Sequence, residues 1–135
     1  MISAGNSLIV ENNYGYTGPE ATLLGKTTTP GFARIDIDPD GNGCHQAWAN
    51  TTEAAPTVVP KLSLATGLIY TYTKGDEATD PWYFTALDFR TGATVWKHLT
   101  GTGPGYNNNY AGITLGPNGT AYLGVIPGLI AVHDN

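Results

Sequence analysis

Basic residues, cysteine and long apolar runs are all scarce in this 135-residue chain. Lys and Arg number 6 against 11 Asp and Glu, a formal net charge of -5 at pH 7. No basic patch offers itself to a phosphate backbone, so nucleic acid is not an expected partner. Charged residues are 13% of the chain, about half the usual share. No apolar run approaches the ~20 residues of a membrane-spanning helix. The opening stretch MISAGNSLIV has no basic n-region and enters a strand-like pattern at once, so no signal peptide is expected in it. Cys44 is the single cysteine, which excludes an intrachain disulfide. A reactive thiol needs a neighbour that lowers its pKa. His45 adjoins Cys44, but successive strand residues point to opposite faces. A buried, structural Cys44 is therefore expected.

What the chain has in plenty is punctuation. It carries 18 glycines and 9 prolines, and Thr and Asn cluster beside them. Between these breakers lie short alternating runs. FARIDID (Phe32 to Asp38) sets Ala33, Ile35 and Ile37 against Arg34, Asp36 and Asp38. Similar runs begin near Leu8, His45, Thr57, Leu68, Trp82, Ala93, Ala111, Thr120 and Leu129. The one helix candidate, PEATLLGK (Pro19 to Lys26), is too short to stand among its glycines and threonines. Many short strands with frequent turn signals predict an all-β sandwich, barrel or propeller.

Repeats decide among these. RIDIDPDGNGCHQAW (Arg34 to Trp48) lies over ALDFRTGATVW (Ala86 to Trp96), with a four-residue insertion in the first copy. Asp36 matches Asp88 and Trp48 matches Trp96. The stretch LIAVHDN aligns with FTALDFR. Upstream of each copy stands a strand of one type, in NSLIVEN, TGLIYTYT and NGTAYLGV. A further strand precedes the second and third copies, in TVVPKLSL and AGITL, and only MISA stands in that place before the first. The unit is therefore four strands, A to D. Residues 1–50 make a blade lacking most of strand A, 51–101 a complete blade, and 102–135 a blade lacking strand D.

The hairpin with Ala86, Asp88, Thr91, Gly92 and Trp96 resembles the repeat of pyrroloquinoline-quinone-type β-propellers, Ala-x-Asp-x-x-Thr-Gly-x-x-x-Trp. The resemblance implies a β-propeller segment of about three four-stranded antiparallel blades, the first and last incomplete. The physics of the motif stands beside it. Gly92 suits the positive φ of a tight turn. Asp88 and Thr91 can satisfy turn N–H groups. Trp96 offers a large flat surface for packing between sheets. A blade cannot bury both faces alone, so repeats lean on one another. The motif reads as a joint.

In such a fold the A–B and C–D turns share one face, and the B–C and D–A loops the other. This chain's long loops are of the second kind. They gather Tyr14 and Tyr16 with Tyr106, Asn107, Asn108, Asn109 and Tyr110, a composition common at recognition surfaces. These seven are the candidate ligand-binding residues, against the reading that they are polar linkers covering blade edges. DIDPDGNGC (Asp36 to Cys44) opens like a calcium loop, with Asp36, Asp38, Asp40 and Asn42 as candidate ligands. Its twelfth position is Ala47 where a bidentate Glu is required, which favours an acidic hairpin tip. No other cofactor is predicted. The resembled quinone dehydrogenases use adjacent cysteines and a closed eight-bladed ring, and one cysteine with under three blades argues against the quinone here. His45, His98 and His133 fall at different repeat positions and predict no ligand cluster.

The expected function is a non-catalytic repeat scaffold for binding or assembly, extracellular or periplasmic. Its partners would be further copies of itself, as a homo-oligomer completing a propeller, or the other blades of a longer protein. A fragment of a quinone-dependent oxidoreductase and a carbohydrate-binding, lectin-like propeller are the alternatives.

Overall fold

The computed structural model describes residues 1–134. The fold is all-β, with three antiparallel sheets of four, four and three strands. The first sheet holds β1 (Ile2–Ala4), β2 (Ser7–Glu11), β3 (Phe32–Ile37) and β4 (Cys44–Asn50). The second holds β5 (Lys61–Ser63), β6 (Leu68–Lys74), β7 (Pro81–Asp88) and β8 (Thr94–Thr102). The third holds β9 (Ile113–Leu115), β10 (Thr120–Val125) and β11 (Gly128–His133). Within each sheet every strand pairs with its neighbours in sequence, as the repeat unit requires. PEATLLGK yields only a short 3₁₀ turn at Pro19–Thr22. No helix among the described residues is long and apolar enough to cross a membrane.

In the first sheet a short strand stands in the place of strand A, since Ile2 pairs with Ile9 and Ala4 with Ser7. Its three residues equal the lengths of β5 and β9. A short inner strand is the standard of this unit, so MISA is enough. TVVPKLSL supplies just Lys61–Ser63, because Pro60 has no N–H for a ladder.

Register also shows where the insertion of the first hairpin went. Trp48 pairs with Arg34, and Trp96 with Ala86. From Ala86 to the turn residue Asp88 is two positions, whereas Arg34 to Asp38 is four. The tips themselves match, for the Asp38 N–H bonds Gly43 O at 2.9 Å and the Asp88 N–H bonds Ala93 O at 2.8 Å. The first hairpin is thus lengthened along both arms, and Asp38, not Asp36, occupies the turn position of Asp88. The lengthened arms overhang the sheet. Cys44 lies on the overhang, opposite Ile37 at the end of the pairing, and is exposed, contrary to the expectation of burial.

The three sheets share one core. Ile9, Phe32 and Trp48 from the first meet Ile69, Tyr72, Trp82, Phe84 and Leu87 from the second and Ile113, Ala121 and Leu123 from the third. Tyr72 and Trp82 stack at 5.3 Å, and burial pushes the Tyr72 phenol far above its ordinary pKa. The inner strands of the second and third sheets approach each other, with a parallel bridge between Val59 and Gly112.

Candidate functional site

The long loops do converge, and four of the seven candidate residues, Tyr16, Asn107, Asn109 and Tyr110, meet. Tyr16 comes from the loop between β2 and β3, and the asparagine run from the link between β8 and β9. The Tyr16 hydroxyl donates to Asn109 Oδ1 at 3.0 Å and lies 3.4 Å from Asn107 Oδ1. Its ring meets that of Tyr110 edge-on at 5.3 Å. Burial raises the Tyr16 pKa against the lowering effect of the Asn107 bond, with Tyr110 and Glu20 adding to the rise. It therefore acts as a neutral donor. Tyr14 stands apart at 90% exposure. Tyr106 is taken up by packing over Gly101, where an added Cβ would fall 2.1 Å from its ring.

The asparagines are joiners. Asn107 is fully buried. Its Nδ2 donates to Thr22 Oγ1 at 3.0 Å, its Oδ1 accepts from the Asn109 N–H at 2.8 Å, and its carbonyl accepts from the Ile126 N–H at 3.0 Å. Asn108 Nδ2 donates to Ala111 O at 2.7 Å, and its Oδ1 accepts from the Thr57 hydroxyl. Residues 16, 22, 57 and 126 come from loops attached to all three sheets. The amides are spent on tying those loops together, which leaves Tyr14, Asn109 and Tyr110 as the exposed candidates. The neighbouring link behaves likewise, since Glu53, Ala54, Ala55 and Thr57 are buried. Asn107→Ala is expected to cost about 1–3 kcal/mol, the toll of orphaning buried partners. Thermal melts of Asn107→Ala beside Tyr14→Ala check this, and only the first should fall.

The acidic hairpin disperses its oxygens. Asp36 is held by Arg34 through Nε at 2.7 Å and Nη2 at 2.8 Å, and by the Ser7 hydroxyl at 2.7 Å. The Arg34 bonds, with help from Ser7, hold its carboxyl below the usual range. Asp38 faces His45 at 3.1 Å. Asp40 accepts from the Asn42 N–H and side chain, both at 3.1 Å, and the backbone bond lowers its pKa most. The structure thus gives Asp36, Asp38, Asp40 and Asn42 separate partners instead of one centre. Among the described residues no group of three or more His, Cys, Asp or Glu could hold a metal ion. Millimolar calcium is expected to leave the melting temperature unchanged in both the native chain and Asp38→Asn. A rise abolished by Asp38→Asn would overturn that.

The opposite face carries two features that the loop-centred reading passes over. Between the first two sheets, Trp48 Nε1 donates to Phe89 O at 2.9 Å, and Asn50 Nδ2 to Gly92 O at 2.8 Å. Arg34 stacks on the Phe89 ring at 4.3 Å. The strand-D Trp of one sheet therefore seats the C–D turn of the next. Between the second and third sheets lies a cleft of about 610 Å³ instead. Trp96, Tyr70 and Phe84 form its aromatic wall, with Leu115 and Val132 opposite. His98 and His133 both line it, so two histidines that their repeat positions separate share one cleft. The signal in the sequence was Trp96, the counterpart of Trp48.

No family model matches the chain, and no solved structure matches it. It is 25% identical over 99 residues to an uncharacterized protein of Archaeoglobus fulgidus, a match covering 73% of this chain and 19% of that protein. The chain thus corresponds to about a fifth of that relative's length.

Proposed function

We propose that this chain is a β-propeller segment of the pyrroloquinoline-quinone-like repeat type that works as a non-catalytic scaffold for binding or assembly. The observation that carries the reading is the joint at Trp48. One blade's Trp and Arg34 grip the backbone of the next blade's turn, the work the repeat motif is built for. The reading is also supported by where the polar side chains go. The buried amides of Asn107 and Asn108 and the carboxylate of Asp36 are bound to the protein itself. The segment completes its ring with further sheets, from its own copies or from elsewhere in a longer protein.

Two measurements test this. Incubation with quinone and calcium, followed by gel filtration, should leave no quinone absorbance with the protein. Retained absorbance would overturn the scaffold in favour of an oxidoreductase. Light scattering over a range of concentrations should give a mass at a multiple of the chain's own, because exposed strand edges and apolar faces recruit partners. A compact single-chain species at every concentration would refute assembly.

A further inference from the structure

Tyr110 stands in a conformation that tyrosine rarely takes. Its φ is 68°, and that of Asn109 before it is 42°. Both lie in the left-handed region, where glycine is at ease, asparagine is tolerated and a bulky side chain is an outlier. The surroundings enforce it. The Tyr110 N–H donates to Thr57 O at 2.7 Å, and the Asn109 N–H to Asn107 Oδ1 at 2.8 Å. The Ala111 N–H donates to Asn108 O at 2.9 Å, and Asn108 Nδ2 donates to Ala111 O at 2.7 Å. Buried Asn107 and Asn108 therefore pin the turn. Burial of the ring does not offset the strain, since Tyr110 is 46% exposed and meets Tyr16 edge-on. Strain of this kind persists where the structure over-determines it, and it gathers at ligand clamps.

We propose that Tyr110, Asn109 and Tyr16 form a binding site for a neutral saccharide with equatorial substituents, of the β-linked glucan kind. The inference gives the scaffold a ligand class and rests on that reading. Beside the exposed ring stand a donor and an acceptor. Asn109 is exposed, and its Nδ2 has no partner among the described residues. The Tyr16 hydroxyl donates its proton to Asn109 Oδ1, which leaves its oxygen to accept. Glu20 bears on Tyr16 electrostatically, which disfavours an anion, and the Asn109 amide donor opposes a cation. A pyranose with equatorial substituents has axial C–H bonds on both faces and hydroxyls around its rim. Those C–H bonds are weakly positive and the face of an aromatic ring is negative, so one sugar unit lies flat on Tyr110. A rim hydroxyl accepts from Asn109 Nδ2, and another donates to the Tyr16 oxygen. Tyrosine brings contact area at little loss of freedom. Tyr16 comes from a loop of the first sheet and Asn109 and Tyr110 from the link between the second and third, so the site belongs to the joined sheets and not to one of them.

The test uses the intact chain with cellotetraose as the probe. Titration calorimetry should show saturable binding, millimolar or tighter, and none for sorbitol, which has hydroxyls but no ring. Tyr110→Phe keeps the ring and should keep the binding. Asn109→Asp keeps the acceptor for Tyr16 and removes the donor, so it should bind at least about fivefold more weakly. Tyr110→Gly should abolish binding while the melting temperature holds or rises, because glycine takes this φ without strain. A fall in that temperature would show that the ring is kept for packing, and would overturn the site. So would equal binding of sorbitol, undiminished binding by Asn109→Asp or Tyr110→Gly, loss of binding in Tyr110→Phe, or no binding of cellotetraose. Those results would leave the scaffold reading standing, whereas retained quinone would sink that reading and leave sugar binding intact.

Discussion

Asp80→Ala should destabilise this protein by about 3–5 kcal/mol, the range for breaking a buried ion pair. The side chains of Lys74 and Asp80 are 0% and 7% exposed, and Nζ lies 2.9 Å from Oδ1. Asp80 also accepts the Leu24 N–H at 2.9 Å and the Gly25 N–H at 2.8 Å. Those two donors belong to the long loop of the first sheet, so the carboxylate fastens that loop to the second. Alanine would strand a buried ammonium and leave two loop N–H groups without their acceptor. An asparagine in its place would keep an acceptor for the loop and still leave Lys74 uncompensated, so Asp80→Asn should fall between. The sign of the pH dependence follows from the same contacts. Burial pushes the Asp80 pKa up, but bonds from the Gly25 N–H, Lys74 and the Leu24 N–H outweigh it, and the net shift is downward. Its stabilisation is therefore complete above the unfolded value of about 3.9 and disappears as pH falls through the lower folded value. Asp36, Asp40 and Asp88 are lowered too. The difference between wild type and Asp80→Ala isolates the one group. Denaturant melts between neutral pH and about pH 2 should show that difference shrinking below about pH 4. A constant difference, or a loss under about 1 kcal/mol, would show that the pair is not what holds the loop.

The all-β fold and the order of strands were legible because their signals are local. The alternation in FARIDID and the Asp88 to Gly92 turn need only neighbours. Asp88 Oδ1 accepts the Arg90 N–H at 2.8 Å and the Thr91 N–H at 2.9 Å within that turn. The repeat alignment then placed Trp48 and Trp96 as joints. What stayed hidden depends on contacts between distant segments. Asn107 looked available to a ligand because Thr22, which takes its amide, is remote in sequence. Nothing near Asp80 announces Leu24 and Gly25. The insertion at Asp36 to Cys44 was visible, but register was needed to show it as longer arms. Burial of Cys44 was expected from its residue type, and only the overhang explains its exposure. The cleft was hidden for a related reason. Trp96 reads as a joint from sequence, and the cleft that it walls takes shape only when the third sheet is set beside it.

Gly92→Val tests that joint at its tightest point. Gly92 has φ 73°, a conformation that a β-branched residue adopts only under strain worth about 1–3 kcal/mol. A Cβ there would also fall 2.4 Å from Trp48 Cε3 and 2.6 Å from Cδ2. Neither atom can yield easily, because Trp48 is buried and its indole N–H is bonded to Phe89 O. Overpacking of this kind adds about 1–3 kcal/mol, so Gly92→Val should cost about 3 kcal/mol or more and shift Trp48 fluorescence to the red. Gly67 separates the two causes. It has φ 68° but nothing within 4 Å of an added Cβ. Gly67→Ala therefore reports the backbone cost alone, and Gly92→Ala reports that cost plus the clash with Trp48. The second should be clearly larger in paired thermal melts. Equal losses at the two glycines would mean that the turn does not bear on Trp48, and the joint between the sheets would lose its strongest support.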